Sequence, residues 1–168
     1  MVAIRPITRE DTPNIISWRN NPRVLHNFID QNPLDEETHL SWLDNYVDKG
    51  KTAQFIICAN GADVGSVYLR DICHIHKKAE FGIFIGDDAY TGKGIGTEAA
   101  RLIIDYGFME LGMNKIFLRV LAENVSAIRS YEKSGFVPEG CFVEDVYLNG
   151  FFHDVVFMAI LKGSWSKG

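Results

Sequence analysis

A cluster of glycines at the start of an amphipathic segment constrains this chain more than any other feature. In YTGKGIGTEAARLIIDYGF, from Tyr90 to Phe108, the glycines Gly92, Gly94 and Gly96 precede apolar residues that recur at helical spacing. Glycine loses more conformational freedom on folding than any other residue, so such a cluster marks a backbone that needs positive φ or a neighbour that tolerates no Cβ. A tight strand-to-helix turn and an anion-binding site both meet that requirement.

An anion at this turn would meet several favourable features. The first N–H groups of a helix have no intrahelical acceptor and carry the positive end of the macrodipole. Lys93 adds a positive charge within the turn. The order G-K-G-I-G-T differs from the G-x-G-x-x-G of dinucleotide sites and from the G-x-x-x-x-G-K-[ST] of the P-loop, which weakens both of those interpretations. The preceding apolar run, Phe81 to Ile85, predicts a buried strand that leads into the turn.

Length and charge exclude several classes of protein. The chain has the size of one domain, and we expect residues 1–168 to form a single one. Its formal net charge is -5 with no basic run, so we expect no nucleic-acid partner. No apolar segment approaches the roughly 18 residues of a membrane span. The first residues lack the apolar core of a signal peptide, so we expect no membrane partner and a cytoplasmic location.

The pattern of apolar runs and turn residues predicts the order β, α, α, β, β, β, α, β, α, β, β. We expect a helix from Thr12 to Arg19, a loop up to Pro33 and a second helix from Asp35. The dipeptides Asn60-Gly61 and Asn149-Gly150 predict two hairpins. The last helix is expected to end at Gly135, with Asn124 or Ser126 as its N-cap, after a strand from Lys115 to Leu121.

Two segments carry a resemblance to a known family. EFGIFIGDDAYTGKGIGTEAARLIIDYGF and NKIFLRVLAENVSAIRSYEKSGFVPEG combine the glycine turn, an N-x-x-A-x-x-x-Y-x-K-x-G-F helix and a strand before each. Together they resemble the GNAT superfamily of N-acetyltransferases, over roughly Gly61 to Leu161. The resemblance implies the α/β (α+β) GNAT fold, a mixed, mostly antiparallel central sheet of about seven strands, splayed between strands 4 and 5 and flanked by about four helices.

The resemblance implies acetyl-CoA as the acetyl donor, and the glycine turn suits its pyrophosphate. Thr91 stands where the family commonly has Gln or Arg, so we expect a loss of side-chain reach and of some affinity without abolition of binding, because most of the phosphate contacts come from the backbone. Those contacts are expected from the N–H groups of Gly92, Lys93, Gly94, Ile95, Gly96 and Thr97.

The pantetheine arm of the donor is expected to fill the splay as an additional strand. In the family it bonds to the backbone of the strand before the glycine turn, here at Ile83, Phe84 and Ile85. Asn124 would bond to an amide of the arm, or serve as a plain N-cap of the following helix, and the two roles are compatible.

Tyr131 and Glu80 are the candidate catalytic residues. A phenol with an ordinary pKa near 10 stays protonated at neutral pH and can donate its proton to the leaving thiolate, so Tyr131 is predicted as general acid, with plain aromatic packing as the alternative. The attacking amine must lose a proton, and Glu80 beside the cleft is the predicted base. The alternative for Glu80 is a solvated edge carboxylate paired with Lys77 or Lys78. His74 and His76 lack an evident third ligand, and we expect no metal.

The acceptor of the acetyl group is less constrained. SWRNNPRVLHNFIDQNPLDEETHLSWL resembles amino-sugar-nucleotide acetyltransferases, whereas HIHKKAEFGIFI and the last hairpin resemble spermidine acetyltransferases and ribosomal-protein N-terminal acetyltransferases. We expect a small-molecule amine. A polyamine would need the carboxylates to converge, and a sugar nucleotide would need basic side chains. The acidic candidates are Asp30, Asp35, Glu36, Glu37, Glu144 and Asp145; the basic candidates are Arg5, Arg19, Arg23 and Lys77.

The triplet Trp18-Arg19-Asn20 combines a stacking surface, a phosphate-binding fork and an amide, which favours a nucleotide-linked amino sugar. A polyamine or a protein N-terminus is the alternative acceptor. A non-catalytic acyl-CoA sensor is the alternative from a different class, and the presence of Tyr131 argues against it. Family relatives also lead us to consider a homodimer.

Overall fold

A seven-stranded mixed sheet organises the fold, with strand order β1-β2-β3-β4-β5-β7-β6. The computed structural model describes residues 1–165. All neighbouring strands pair antiparallel except β4 and β5, which pair in parallel. The strands are β1 (Val2–Pro6), β2 (Ala53–Ala59), β3 (Ala62–Cys73), β4 (Lys78–Ile85), β5 (Lys115–Leu121), β6 (Val137–Leu148) and β7 (Phe151–Leu161).

Five α-helices accompany the sheet, in the predicted order apart from one addition. The addition is a single turn, α2, within the segment predicted to be a loop. It forms because Asn21 accepts a hydrogen bond from the Arg23 N–H at 3.1 Å and Pro22 supplies a favourable first residue. The helices are α1 (Thr12–Arg19), α2 (Pro22–Leu25), α3 (Glu36–Trp42), α4 (Ile95–Met109) and α5 (Val125–Lys133).

Both predicted hairpin turns are confirmed. Asn60 and Gly61 have φ of 51° and 85°, and Asn149 and Gly150 have the same pair of values. Two successive residues with positive φ define the type I′ turn, whose twist matches that of the flanking strands. The Asn-Gly pairs therefore fix the connections from β2 to β3 and from β6 to β7.

The two faces of the sheet carry different layers. On one face, α4 covers the larger core, which includes Ile57 of β2, Phe81 of β4 and Ile103 of α4. On the other face, Ile15 of α1 and Val24 of α2 pack against the sheet in a smaller cluster. Because successive strand residues point to opposite faces, even-numbered residues of β4 face α1 and α2, and odd-numbered residues face α4.

The sheet opens between β4 and β5. The two strands pair at only three positions, Lys78 with Lys115, Ala79 with Ile116 and Glu80 with Phe117, and then separate. The splay predicted between strands 4 and 5 is therefore confirmed, and it lies next to the glycine turn that follows β4. No helix within residues 1–165 is long and apolar enough to cross a bilayer.

Candidate active site

The glycine turn forms a row of unpaired backbone donors at the start of α4. Gly92 and Gly94 have φ of 70° and 79°, and a Cβ on either would meet nothing within 4 Å. Positive φ rather than crowding within the protein therefore requires glycine here. Within the described chain, the six N–H groups from Gly92 to Thr97 donate to no acceptor, and the first helical bond runs from Glu98 N–H to Gly94 O at 3.1 Å.

The side chains of the turn are directed elsewhere. The Thr91 hydroxyl donates to Asp88 O at 2.9 Å, within its own loop. Lys93 Nζ lies 5.7 Å from the centre of the Tyr90 ring. The hydroxyl oxygens of Thr97 and Ser130 are 3.4 Å apart. The groups at this end of the cleft that could hold an anion are consequently backbone N–H groups.

The backbone of β4 presents two of its residues to the splay. Gly86 N–H donates to Val64 O of β3 at 2.8 Å, and the alternation of an antiparallel ladder directs Phe84 to β3 as well. The N–H and C=O groups of Ile83 and Ile85 consequently face the gap. Arg23 Nη2 donates to Ile85 O at 2.7 Å. Of the three predicted positions, Phe84 is thus directed away from the splay because its backbone pairs with β3.

Asn124 caps α5 and keeps a free donor. Its Oδ1 accepts a hydrogen bond from the Ala127 N–H at 3.3 Å, which identifies Asn124 rather than Ser126 as the N-cap. Its Nδ2 donates to no acceptor in the part of the chain that the structure describes. Asn124 lines the cleft, so its amide can serve the helix and a ligand at once.

Tyr131 lies in the same cleft on α5. Its ring makes edge-to-face contacts with Phe81 and Phe136, at centroid distances of 5.8 Å and 6.0 Å. Burial raises the pKa of the Tyr131 phenol above its usual value, with a further contribution from Tyr68. The phenol is therefore protonated at neutral pH, and its donor capacity is available to a ligand.

Glu80 is buried and paired with two arginines. Its side chain is 7% exposed, and its Oε1 accepts from Arg70 Nη2 and Arg119 Nε, both at 3.0 Å. The expected alternative of a solvated carboxylate paired with Lys77 or Lys78 is wrong, because β3 and β5 place arginines on either side of Glu80. Its Oε2 has no partner within residues 1–165.

These residues share one cleft of about 1040 Å³. The glycine turn, Ile83 and Tyr131 line one part of it, and Arg19, Tyr68 and Arg70 line another. The first part follows the splay between β4 and β5. The second lies beneath α1 and α2, on the face to which Glu80 and Gly82 point.

Comparison with known proteins assigns the chain to a family. Residues 2–137 match the family model described as an acetyltransferase (GNAT) domain. The chain belongs to the GNAT family. It is thus an acyltransferase that uses acetyl-CoA for N-acetylation.

Relatives that match this GNAT enzyme over most of both chains include polyamine acetyltransferases. The chain is 35% identical to the spermidine N(1)-acetyltransferase of Escherichia coli K12 over 162 residues, covering 96% of this chain and 86% of the relative. A crystal structure of the Vibrio cholerae spermidine N-acetyltransferase with CoA and spermine superposes with a TM-score of 0.90 at 30% identity, covering 97% and 96% of the two chains. A dodecameric structure of the V. cholerae enzyme gives a TM-score of 0.82 at 30% identity, covering 96% and 94%.

We call the part of the cleft along the splay the donor side, and its geometry fits acetyl-CoA. The unpaired N–H groups of Gly92 to Thr97 suit a pyrophosphate, and the backbone of Ile83 together with the Ile85 N–H, which face the gap, suits an extended chain with amides. Among residues 1–165, no group of three His, Cys, Asp or Glu side chains could hold a metal ion.

The six acidic candidates, which would have to converge to bind a polyamine, do not converge in the cleft. Of the six candidate carboxylates, only Asp30 lines it. Asp35 caps α3 by accepting the Thr38 N–H at 2.7 Å, and Glu36 and Glu37 line a separate groove. Among the basic candidates, Arg5 pairs with Asp11 and Asp63 on β1, outside the cleft.

We call the part of the cleft beneath α1 and α2 the acceptor side. Sequence reasoning missed four residues there: Tyr68, Arg70, Gly82 and Arg119. They lie on three strands and meet only through the register of the sheet. One signal could have found part of this group. A glycine inside a strand, as in EFGIF, often marks close approach by another group, and a Cβ on Gly82 would lie 2.2 Å from the Tyr68 ring.

Proposed function

We propose that this acetyltransferase acetylates the primary amine of a small molecule within a single domain of residues 1–168. The observation that carries the proposal is the meeting of three features in one cleft. These are the unpaired N–H groups at the start of α4, the gap between β4 and β5, and the Tyr131 phenol. The first two hold the donor, and the third lies where the thioester would react.

On the donor side, backbone groups do most of the binding. The N–H groups of Gly92 to Thr97 hold the pyrophosphate, and the groups of Ile83 and Ile85 that face the gap pair with the pantetheine arm. Asn124 Nδ2 donates to a carbonyl of the arm while Oδ1 caps α5. When bound, acetyl-CoA supplies an activated acyl group whose leaving atom is a thiolate.

Tyr131 donates a proton to the departing sulfur. The raised pKa makes the phenol a weaker acid than a free one, but the same burial disfavours a thiolate and makes it more basic. A neutral phenol in a dry cleft also stabilises developing negative charge by hydrogen bonding. Tyr131 therefore serves both to stabilise the leaving group and to protonate it.

Glu80 is the candidate acceptor of the amine proton. Both arginine donors bind Oε1, so Oε2 remains for the amine or for a water molecule between them. Arg70 and Arg119 fix the orientation of the carboxylate. Replacing Glu80 by Gln would keep its shape and remove its basicity, and we expect a lower kcat/KM for the acceptor amine at unchanged KM for acetyl-CoA.

Two classes of acceptor have support. Similarity over nearly the whole chain to spermidine acetyltransferases supports a polyamine over a nucleotide-linked amino sugar. The arginines on the acceptor side support an amine that carries negative charge, as the amino sugar does. A thiol-release assay with acetyl-CoA against spermidine, an amino-sugar nucleotide and a peptide with a free N-terminus separates these acceptors. Failure of every amine in a wide panel, despite binding of coenzyme A, would refute the proposed function.

We also propose that the protein associates with itself through β6, in the cytoplasm. β6 is an edge strand whose apolar side chains are exposed, with Val143 at 75%, Tyr147 at 63% and Phe151 of the adjoining β7 at 71%. Exposed apolar edges of this kind are usually covered. Light scattering gives the oligomeric state, and a monomer at micromolar concentration would contradict self-association.

A further inference from the structure

The acceptor side of the cleft contains hydrogen-bond donors that the protein leaves unused. Between Met1 and Trp165, four buried side-chain nitrogen or oxygen atoms lack a partner. Three of these belong to residues that line the cleft: Arg19 Nη1, His39 Nε2 and Arg70 Nε. Buried polar atoms are nearly always paired, and an unpaired one costs about 1–3 kcal/mol. Their clustering in one cavity indicates a partner that comes from outside the chain.

Tyr68 adds a further donor to the same place. Its ring crosses β4 above Gly82, where it lies against the position that a Cβ would occupy. Its phenol interacts electrostatically with Arg70, Arg19, Glu80 and Arg119. In the described part of the chain its hydroxyl makes no hydrogen bond. Tyr68 therefore lines the same cleft as the three arginines, with its donor free.

The charge at this end of the cleft is positive. Arg19, Arg70 and Arg119 supply three positive charges; within residues 1–165 Glu80 is the one carboxylate that forms an ion pair with any of them, and Asp30 also lines the cleft. Arg19 donates from Nη2 to the backbone carbonyl of Asp30 at 3.2 Å, and not to its carboxylate. Burial lowers the pKa of the Arg19 guanidinium, and the nearby Tyr68 and Asp30 oppose part of that effect.

Arg19 is held in place before any ligand arrives. Its guanidinium carbon lies 3.5 Å from the centre of the Phe28 ring, and Phe28 packs edge-to-face on Phe84 of β4 at 5.8 Å. Such a cation–π contact fixes the plane of the guanidinium. Less side-chain entropy is then lost on binding, so the group is suited to recognising an oxyanion.

We propose that the acceptor amine carries an oxyanion, a phosphate or a carboxylate, that binds Arg19 Nη1, Arg70 Nε and the Tyr68 hydroxyl. This inference rests on the proposed acetyl transfer and narrows its acceptor. Charge-assisted bonds to these donors hold the anion, and the amine then lies towards Glu80 and Tyr131. A polyamine offers no acceptor to these groups and meets three arginines of like charge.

Matched acceptors test the proposal with the whole 168-residue chain. Glucosamine and glucosamine 6-phosphate differ in a phosphate, and an amino acid and its amide differ in a carboxylate. We expect one of the anionic members to have kcat/KM about 10- to 100-fold above its uncharged partner. The pair that shows the preference identifies which oxyanion is recognised. A higher kcat/KM for spermidine than for every anionic amine would overturn the proposal.

Variants locate the effect. Arg19→Met keeps the packing on Phe28, and Tyr68→Phe removes only the hydroxyl. Each should reduce the anion preference about tenfold or more without changing KM for acetyl-CoA. Arg9→Met is the matched control, since Arg9 pairs with Asp44 and Asp48 outside the cleft. Arg19→Met should also increase activity with spermidine, and an unchanged ratio of anionic to cationic acceptors would contradict the assignment.

A binding experiment separates this inference from the proposed function. With coenzyme A at saturation, calorimetry with uridine diphosphate and with a simple carboxylate reports the acceptor side alone. We expect binding of one of them by the wild type and its loss in Arg19→Met, with equal melting temperatures. Anion binding without any acetyl transfer would support the anion site and refute the proposed acetyl transfer. Acetyl transfer to uncharged amines without anion binding would support the acetyl transfer and refute the anion site.

Discussion

The two sides of the cleft present different kinds of chemical group. In the proposed arrangement the donor side uses main-chain groups, namely the N–H groups of Gly92 to Thr97, the backbone of Ile83 and the Ile85 N–H. The acceptor side uses side chains, namely Arg19, Tyr68 and Arg70. A main-chain site depends on local conformation and tolerates changes of side chain, so Thr91 can replace a longer residue. A side-chain site depends on residue identity at each position, so it can change acceptor without changing the fold.

The largest effect is expected at Tyr131, where the two sides meet. Tyr131→Phe removes the proton donor and should lower kcat by about 100-fold or more. KM for acetyl-CoA should change little, because the ring contacts with Phe81 and Phe136 remain. Steady-state thiol release measures both constants. Tyr106→Phe is the control, because Tyr106 lies on α4 outside the cleft and its ring contact with Phe55 would remain. Normal turnover by Tyr131→Phe would refute the assignment.

A change at Gly94 tests the main-chain side alone. Gly94→Val should increase KM for acetyl-CoA about 10- to 100-fold, because the substitution disturbs several N–H donors to one anion. Forcing φ of 79° on a β-branched residue also costs about 1–2 kcal/mol of folding stability.

Gly112→Val is a control for that cost. Gly112 has φ of 69° and open space around its Cβ position, but it lies outside the cleft. Thermal unfolding and kinetics of both variants should show similar losses of stability and a change in KM for Gly94→Val only. Equal KM values in the two variants would disprove anion binding by the glycine turn.

A smaller effect is expected at Gly82, which tests the side-chain side. In Gly82→Ala the new Cβ would lie 2.2 Å from Tyr68 Cζ, so the ring must move. We expect a loss of about 1–3 kcal/mol in stability, typical of overpacking, and a lower kcat/KM for the acceptor at unchanged KM for acetyl-CoA. Chemical denaturation and acceptor kinetics measure these two effects.

The double variant Tyr68→Ala/Gly82→Ala should recover stability relative to the sum of the two single changes, because the contact is removed. Gly140→Ala on β6 is a matched strand control with nothing within 4 Å of its Cβ position. Additive losses in the double variant would show that Tyr68 and Gly82 are not in contact.

The smallest effect is expected at the pair formed by His153 and Glu123, next to Asn124 in the chain. His153 Nδ1 lies 2.9 Å from Glu123 Oε2, and its Nε2 lies 3.2 Å from Leu148 O. The hydrogen bond with Glu123 raises the pKa of His153 above its usual value. A raised pKa in the folded state stabilises the protein below the unfolded value of about 6.5, and the contribution is lost as pH rises through the folded pKa.

His153→Gln should therefore lower the melting temperature slightly below pH 6.5 and leave it unchanged well above the folded pKa. Differential scanning calorimetry across pH measures the difference. A larger loss at alkaline than at acidic pH would contradict the protonated pair.

Local signals in the sequence predicted most of the fold. The Asn-Gly pairs fixed both hairpins, Asn124 capped α5, and the strand from Lys115 to Leu121 has the predicted bounds. Each of these depends on residues close together in the chain. The turn α2 was missed because its four residues form a helix only through a local cap and a proline, without an apolar repeat.

The acceptor side could not be predicted in the same way. Arg70 and Arg119 are separated by 49 positions in the chain and meet at Glu80 because three strands pair in register. A shift of one residue in any of these strands would turn its side chain to the other face. The six acidic candidates do not converge because four of them lie in the segment before α3 or on α3 and two lie on β6. Charge in the sequence does not determine where in the fold a residue lies.

The short pairing between β4 and β5 affects the rigidity of the sheet. Three residue pairs join a four-stranded half to a three-stranded half. An extended ligand bonded to the free edge of β4 and to Asn124 would connect the two halves and restrain their relative motion. Amide hydrogen exchange of Ile83 and Ile85 should slow when the donor binds, and the motion of one half relative to the other should decrease. The acetyl donor would then be a temporary structural element of the sheet as well as a reactant.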